Sequence, residues 1–337
     1  MRDRKLAFTV CLGLLVTLTT SLAIAQSYHA TNLVSNLTGK AKHTDALLAN
    51  PWGIAYGPSA PFWVSDEASG YSTLYDGTGT PQSLKVIVPP ASGTGKGTPT
   101  GIVYNGSSDF KIKTWTSVFL FCTLDGTISG WSTFEPSTAL IGATQPGAVY
   151  TGLAVTTKAS GNVLFAADAA NNKVDMYDTN FSLVKSFTDS TIPTGFAPFG
   201  IQDISGKVYV TYASTTGATG GYIDIFKEDG TFVKRFAQGK PLNQPWGLAV
   251  APTGFGPLSG TLLVSNNTST GTINGFNLTT GKFVSALKNS AGKALTINGL
   301  WGIEFGGGTS SNGQKNQLFY TAGPSDTNGY FGMITFK

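Results

Sequence analysis

Few residues in this chain have the types and spacing that chemistry requires. His29 and His43 are the only histidines, and both lie close to the N-terminus. A histidine-ligated metal centre needs several such ligands brought together, so the sequence argues against one. No Gly-x-Ser-x-Gly elbow occurs, and Ser182-Leu183-Val184-Lys185 fits a Ser-x-x-Lys string only within a stretch that reads as a strand. Gly93-Thr94-Gly95-Lys96-Gly97-Thr98 lacks the spacing and following helix of a phosphate loop and reads as a flexible turn. Two sets of residues remain. Asp66, Glu67, Asp168 and Glu304 are candidate carboxylates, and Trp52, Phe199, Trp246 and Trp301 occupy one position of a recurring string.

That string organises the chain. Asn50-Pro51-Trp52-Gly53-Ile54-Ala55-Tyr56 is nearly repeated as Gln244-Pro245-Trp246-Gly247-Leu248-Ala249-Val250, and again without proline as Asn298-Gly299-Leu300-Trp301-Gly302-Ile303. Weaker copies surround Gly101, Gly152 and Gly200, so the shared glycines 53, 101, 152, 200, 247 and 302 are 48, 51, 48, 47 and 55 residues apart. A period near 50 with a turn leading into an apolar strand marks a propeller or array.

Within each repeat a Gly-Ile/Leu strand is followed by a richly apolar one, such as Val118-Phe119-Leu120-Phe121 or Val163-Leu164-Phe165. A third strand ends on an aromatic residue, and Asp76-Gly77, Asp229-Gly230 and Thr280-Gly281 supply hairpin turns after it. A fourth strand closes several repeats, although Glu135–Gly147 of the second repeat shows no clear one. Gly306 to Gln317 reads as a floppy loop.

Four strands in each of six repeats predict an all-β, six-bladed β-propeller occupying residues 50–337. The last repeat ends at Phe336-Lys337 without its fourth strand. Tyr28–Asn36 reads as a strand with no neighbour in sequence, and residues 26–49 are expected to bring it into that gap. An open ring would expose strand edges, whereas closure would bury Leu33 and Val34.

Residues 1–25 read as a cleavable signal peptide: a basic start (Arg2, Arg4, Lys5), an apolar run from Leu6 to Leu22, and Ala23-Ile24-Ala25 before Gln26. The expectation is an exported protein, periplasmic or extracellular. Removing three basic residues and one acidic one from totals of 22 and 18 leaves 19 and 17, a net charge of +2. This weak charge argues against nucleic acid or an anionic membrane as partner. Cys122 is then the only cysteine, which precludes an internal disulfide, and its apolar strand suggests a buried thiol.

The Pro-x-Gly-Ile/Leu-Ala string, with second strands ending Val64-Ser65-Asp66, Ala166-Ala167-Asp168 and Val264-Ser265-Asn266, resembles the six-bladed propellers of NHL type. A closer resemblance is to a family of secreted bacterial propellers, some of which carry a PEP-CTERM sorting tail. It rests on Asn50 to Pro58, Pro61-Phe62-Trp63-Val64-Ser65-Asp66 and Ser72-Thr73-Leu74-Tyr75, and covers roughly residues 28–337. No sorting segment follows the last strand here, and that family supplies no activity.

By this resemblance Trp52, Phe199, Trp246 and Trp301, with Thr100 and Thr151, ring one mouth of the central channel. Asp66, Asp168 and Asn266 then lie outside them. Four aromatic side chains of about 150–250 Å² each would exceed the apolar patch of roughly 300–600 Å² expected on a monomer. They are therefore either packed beneath the loops or exposed as a binding surface. Calcium-dependent lactonases of the same fold hold a cation at this mouth with carboxylates and amides. Glu304 is the weak metal candidate, because Ala55, Val103, Ala154, Gln202 and Ala249 stand at its place in the other repeats. A carboxylate there must be paired, hydrated or metal-bound.

The sequence thus points to a monomeric binding or scaffold module for a protein, peptide or glycan, with no cofactor expected. The alternative is a divalent-metal (Ca²⁺) hydrolase or lactonase at the channel mouth.

Overall fold

In the computed structural model, residues 26–156 and 161–337 are described. The signal-peptide reading falls on residues 1–25, outside them. Six sheets of antiparallel strands form the blades of a propeller. The innermost strand of each carries the repeated string: Pro51–Ala55, Pro99–Tyr104, Tyr150–Thr156, Phe196–Asp203, Pro245–Val250 and Leu300–Phe305. The outermost strand of the second blade is Leu140–Thr144, within the region that showed no clear strand signal.

The last blade is completed from the other end of the chain. Tyr28–Ser35 pairs antiparallel with Asn328–Phe336, from Tyr28 opposite Phe336 to Ser35 opposite Tyr330. Leu33 and Val34 are buried against Phe62, Val64 and Tyr75 of the first blade. The Tyr28 hydroxyl donates to the Phe255 carbonyl at 2.8 Å, linking this strand to the fifth blade. The connector after it contributes the short strand His43–Thr44, which lies parallel to Tyr28–Ser35.

The hydrophobic core is divided among the blade interfaces. Side chains on a strand alternate between its faces, and both faces of a blade meet a neighbour. In the third blade Leu164 and Ala166 pack towards the second blade, while Phe165 and Ala167 pack towards the fourth. This is why the second strand of each repeat is apolar without interruption. Cys122 is fully buried at the second interface, and burial pushes its thiol up to about 11.

The six repeat glycines are required by close approach, not by unusual dihedrals. A Cβ at Gly53 would lie 2.5 Å from the Thr100 carbonyl oxygen, at Gly200 2.0 Å from that of Trp246, and at Gly302 2.7 Å from that of Trp52. Each glycine thus lets its inner strand press against the next, and the contact from Gly302 to Trp52 closes the ring.

The Gly306–Gln317 segment is more ordered than its composition suggested. Asn312 is fully buried; its amide donates to the Ala60 carbonyl at 3.3 Å and its oxygen accepts from the Thr309 hydroxyl at 2.7 Å. A buried amide satisfied on both sides pins the loop to the first blade.

Candidate functional site

The repeated string places its aromatic residue where the inner strand begins, at the axis. Two residues earlier the backbone is left-handed in all three tryptophan copies, with φ of 45° at Asn50, 51° at Gln244 and 68° at Gly299. This conformation, costly for most residues, turns the chain sharply into the strand and aims the indole inward.

The aromatic residues meet. Trp52 and Trp301 stack with centroids 3.6 Å apart, Trp246 stands edge-on to Trp52 at 6.4 Å, and Phe199 lies 5.5 Å from Trp301. The three indoles are 7–9 % exposed and pack with Leu124 and Phe199. Side chains from five blades therefore fill this mouth of the channel as a plug. Trp246 Nε1 donates to the Thr151 carbonyl at 3.0 Å, and Trp301 Nε1 donates to Asn50 Oδ1 at 3.3 Å. Trp52 Nε1 is buried without a hydrogen-bond partner.

Asp66, Asp168 and Asn266 lie at the ends of their second strands, in three different blades, and all three are buried. Each supports nearby structure. Asp168 Oδ1 accepts from the Val149 amide at 3.1 Å, and Asn266 Oδ1 accepts from the Asn243 amide at 3.1 Å, fixing the loops that enter the inner strands. Asp66 Oδ2 accepts from the Thr73 hydroxyl at 2.7 Å while Oδ1 is unpartnered, and burial holds this carboxyl well above the usual range.

Beside the plug lies a groove of 810 Å³, lined by residues that include Leu47, Trp52, Glu67, Lys96, Leu124 and Asp326. Asn50 links it to the plug, donating from Nδ2 to Glu67 Oε2 at 2.8 Å. Burial raises the Glu67 carboxyl; the Asn50 bond opposes this and the Asp326 charge adds to it. Lys96 Nζ sits 4.4 Å from the Tyr71 ring centroid. Repeat alignment could have found Leu124, which follows its second strand as Glu67 does. Asp326 belongs to a hairpin of the last blade and left no repeat signal.

Glu304 lies away from these groups. It stands near the C-terminal end of its inner strand, in a 320 Å³ cavity with Tyr56, Tyr104, Gln202 and Asp203. Burial pushes its carboxyl up to about 7. Among the described residues no three His, Cys, Asp or Glu side chains come together as a metal site would require.

No family model matches the sequence. Uncharacterized protein R648 of Acanthamoeba polyphaga mimivirus is 33% identical over 314 residues, covering 86% of this chain and 75% of the viral protein. Uncharacterized protein L690 of the same virus is 30% identical over 295 residues, covering 80% and 77% respectively. The chain belongs to the family of these viral proteins. A bacterial source or a PEP-CTERM family gains no support from relatives of this kind. What the family shares with more distant solved structures is its fold. The gluconolactonase XC5397 from Xanthomonas campestris superposes with a TM-score of 0.58 at 15% identity, over 87% of this chain and 88% of that one. A streptogramin B lyase superposes at 0.52 with 13% identity, over 94% and 100%. At such identities the match establishes the six-bladed propeller and nothing about chemistry.

Proposed function

We propose that this propeller is a binding module that takes a peptide segment in the groove beside the tryptophan plug, a basic residue of the peptide lying next to an apolar one. The observation that carries this reading is the groove's make-up: it is lined by the apolar Leu47, Trp52 and Leu124 and by two carboxylates, Glu67 and Asp326, against one cation, Lys96. Burial raises the Glu67 carboxyl and the Asp326 charge adds to it, so a cationic side chain arriving beside them would stabilise both ionised groups.

A peptide array probed with the full chain tests this. Hits should pair Lys or Arg with an aliphatic or aromatic residue. Glu67→Gln should weaken them about tenfold, the effect of losing one hydrogen bond to a charged group. Hits indifferent to Glu67, or recognition of glycans alone, would refute the peptide reading. Export is part of the proposal and rests on residues 1–25. It predicts Gln26 as the N-terminus of protein recovered outside the cytoplasm; recovery with residues 1–25 still attached would count against it.

A further inference from the structure

The tryptophan plug makes the axial channel blind. Behind it, the channel narrows to a 40 Å³ space touching both Trp246 and Glu304. It then widens to the 320 Å³ cavity, which opens at the C-terminal ends of the inner strands. The equivalent position of five inner strands lines this space, as Ala55, Val103, Ala154, Gln202 and Glu304, and the sixth, Ala249, lines an adjoining 190 Å³ hollow with Gln202 and Glu304. Four are small and apolar, which leaves room. One carries a charge.

Among the described residues, that charge has no cation beside it. Glu304 belongs to none of the ion pairs among the described residues, and no described Lys, Arg or His lines the cavity. Glu304 is half-buried, and drawing a carboxylate partly out of water without a cation costs free energy that an all-Ala ring would avoid. The rim carries two aromatic rings, Tyr56 and Tyr104, which suit a cation over their faces. The neighbouring Asp203 also lines the cavity, and its Oδ1 accepts from the Gly206 amide at 3.3 Å.

We propose that this blind pocket binds a small organic ammonium ion, its nitrogen against Glu304 and Gln202 and its methylenes against the alanine and valine walls. The site is separate from the groove of the proposed function and faces the other way, so either reading can fail alone. Calcium fits less well, because it takes six to eight oxygen ligands and the alanines and valines of the ring supply no side-chain oxygens.

The site is pH-sensitive. The titratable groups lining it are Tyr56, Tyr104, Asp203 and Glu304. From the adjoining strand Tyr320 turns away, donating to Asn32 at 2.6 Å, and Lys315 of the following loop lies against Gly308. Burial and the Glu304 charge push Tyr56 up to about 12, so it stays neutral. With Glu304 at about 7, the ionised fraction falls about tenfold between pH 8 and pH 6.

Saturation-transfer NMR of the full chain titrated with n-butylammonium tests the proposal, with n-butanol as the neutral isostere. We expect saturable binding at pH 8, about tenfold weaker at pH 6, at least tenfold weaker in Glu304→Gln, and no response to butanol. Gln202→Lys, which tethers an ammonium in the same cavity, should abolish binding and keeps the test open if Glu304→Gln misfolds. Binding that survives Glu304→Gln, or no saturable binding by wild type, would overturn the proposal. So would Ca²⁺ alone occupying the pocket with Glu304-dependent affinity, in favour of a metal site.

Discussion

Replacing Gly200 with alanine tests the claim that the repeat glycines exist for close approach between blades. The added Cβ would lie 2.0 Å from the Trp246 carbonyl oxygen, 2.7 Å from its carbon and 3.0 Å from Thr211 Oγ1. A comfortable carbon–oxygen contact is about 3.3 Å, so the fourth and fifth inner strands must part by roughly 1.3 Å. The obstacle is backbone and cannot rotate away. Overpacking of this kind costs about 1–3 kcal/mol. The shift also pulls Trp246 from its 3.0 Å hydrogen bond to Thr151, adding about 0.5–1.5 kcal/mol. We therefore expect about 1.5–4.5 kcal/mol of destabilisation, measured by urea unfolding, and a weakened near-ultraviolet dichroism band from the disturbed indoles. Gly106→Ala is the control, since its Cβ would meet only the Tyr104 ring, at 3.3 Å. If Gly200→Ala unfolded within 0.5 kcal/mol of wild type, the blades would have slack at their centre and the packing argument would be wrong.

Two further outcomes follow from the same contacts. Tyr28→Phe removes a hydroxyl that donates to Phe255 and accepts from the Leu258 amide at 3.3 Å; urea unfolding should show a loss of about 1–3 kcal/mol, and no loss would mean that the closing strand is not anchored there. Arg235 bridges buried Asp224 and Asp189, so Arg235→Gln should cost about 3–5 kcal/mol at pH 8. Burial raises the Asp224 carboxyl to about 7 despite Arg235; below that pH it takes up a proton and needs the cation less, so the cost should shrink by pH 5. Equal costs at both pH values would refute this account of the pair.

Much of the architecture was legible because a propeller is one unit repeated. The spacing of Gly53, Gly101, Gly152, Gly200, Gly247 and Gly302 gave the number of blades, and the missing last strand pointed to Tyr28–Asn36 as the piece that closes the ring, where the strand runs Tyr28–Ser35. Local signals failed where contacts came from elsewhere. Gly306–Gln317 looked unstructured because nothing nearby in sequence shows that Asn312 reaches Ala60. Leu140–Thr144 looked irregular because its pairing partner, Thr127–Trp131, and not its own pattern, holds it as a strand.

By itself, then, the sequence determined the fold, since strand period, turn chemistry and repeat length are local properties that recur. It also marked the residues of interest, Trp52, Phe199, Trp246, Trp301 and Glu304, by their places in the repeat. Only the tertiary structure decided their roles. Whether four aromatic rings lie open or pack together depends on how residues some 250 positions apart converge on one axis, and here Trp52 and Trp301 stack. The same convergence seals one mouth of the channel, leaves a groove beside it, and sets Glu304 in the blind cavity behind.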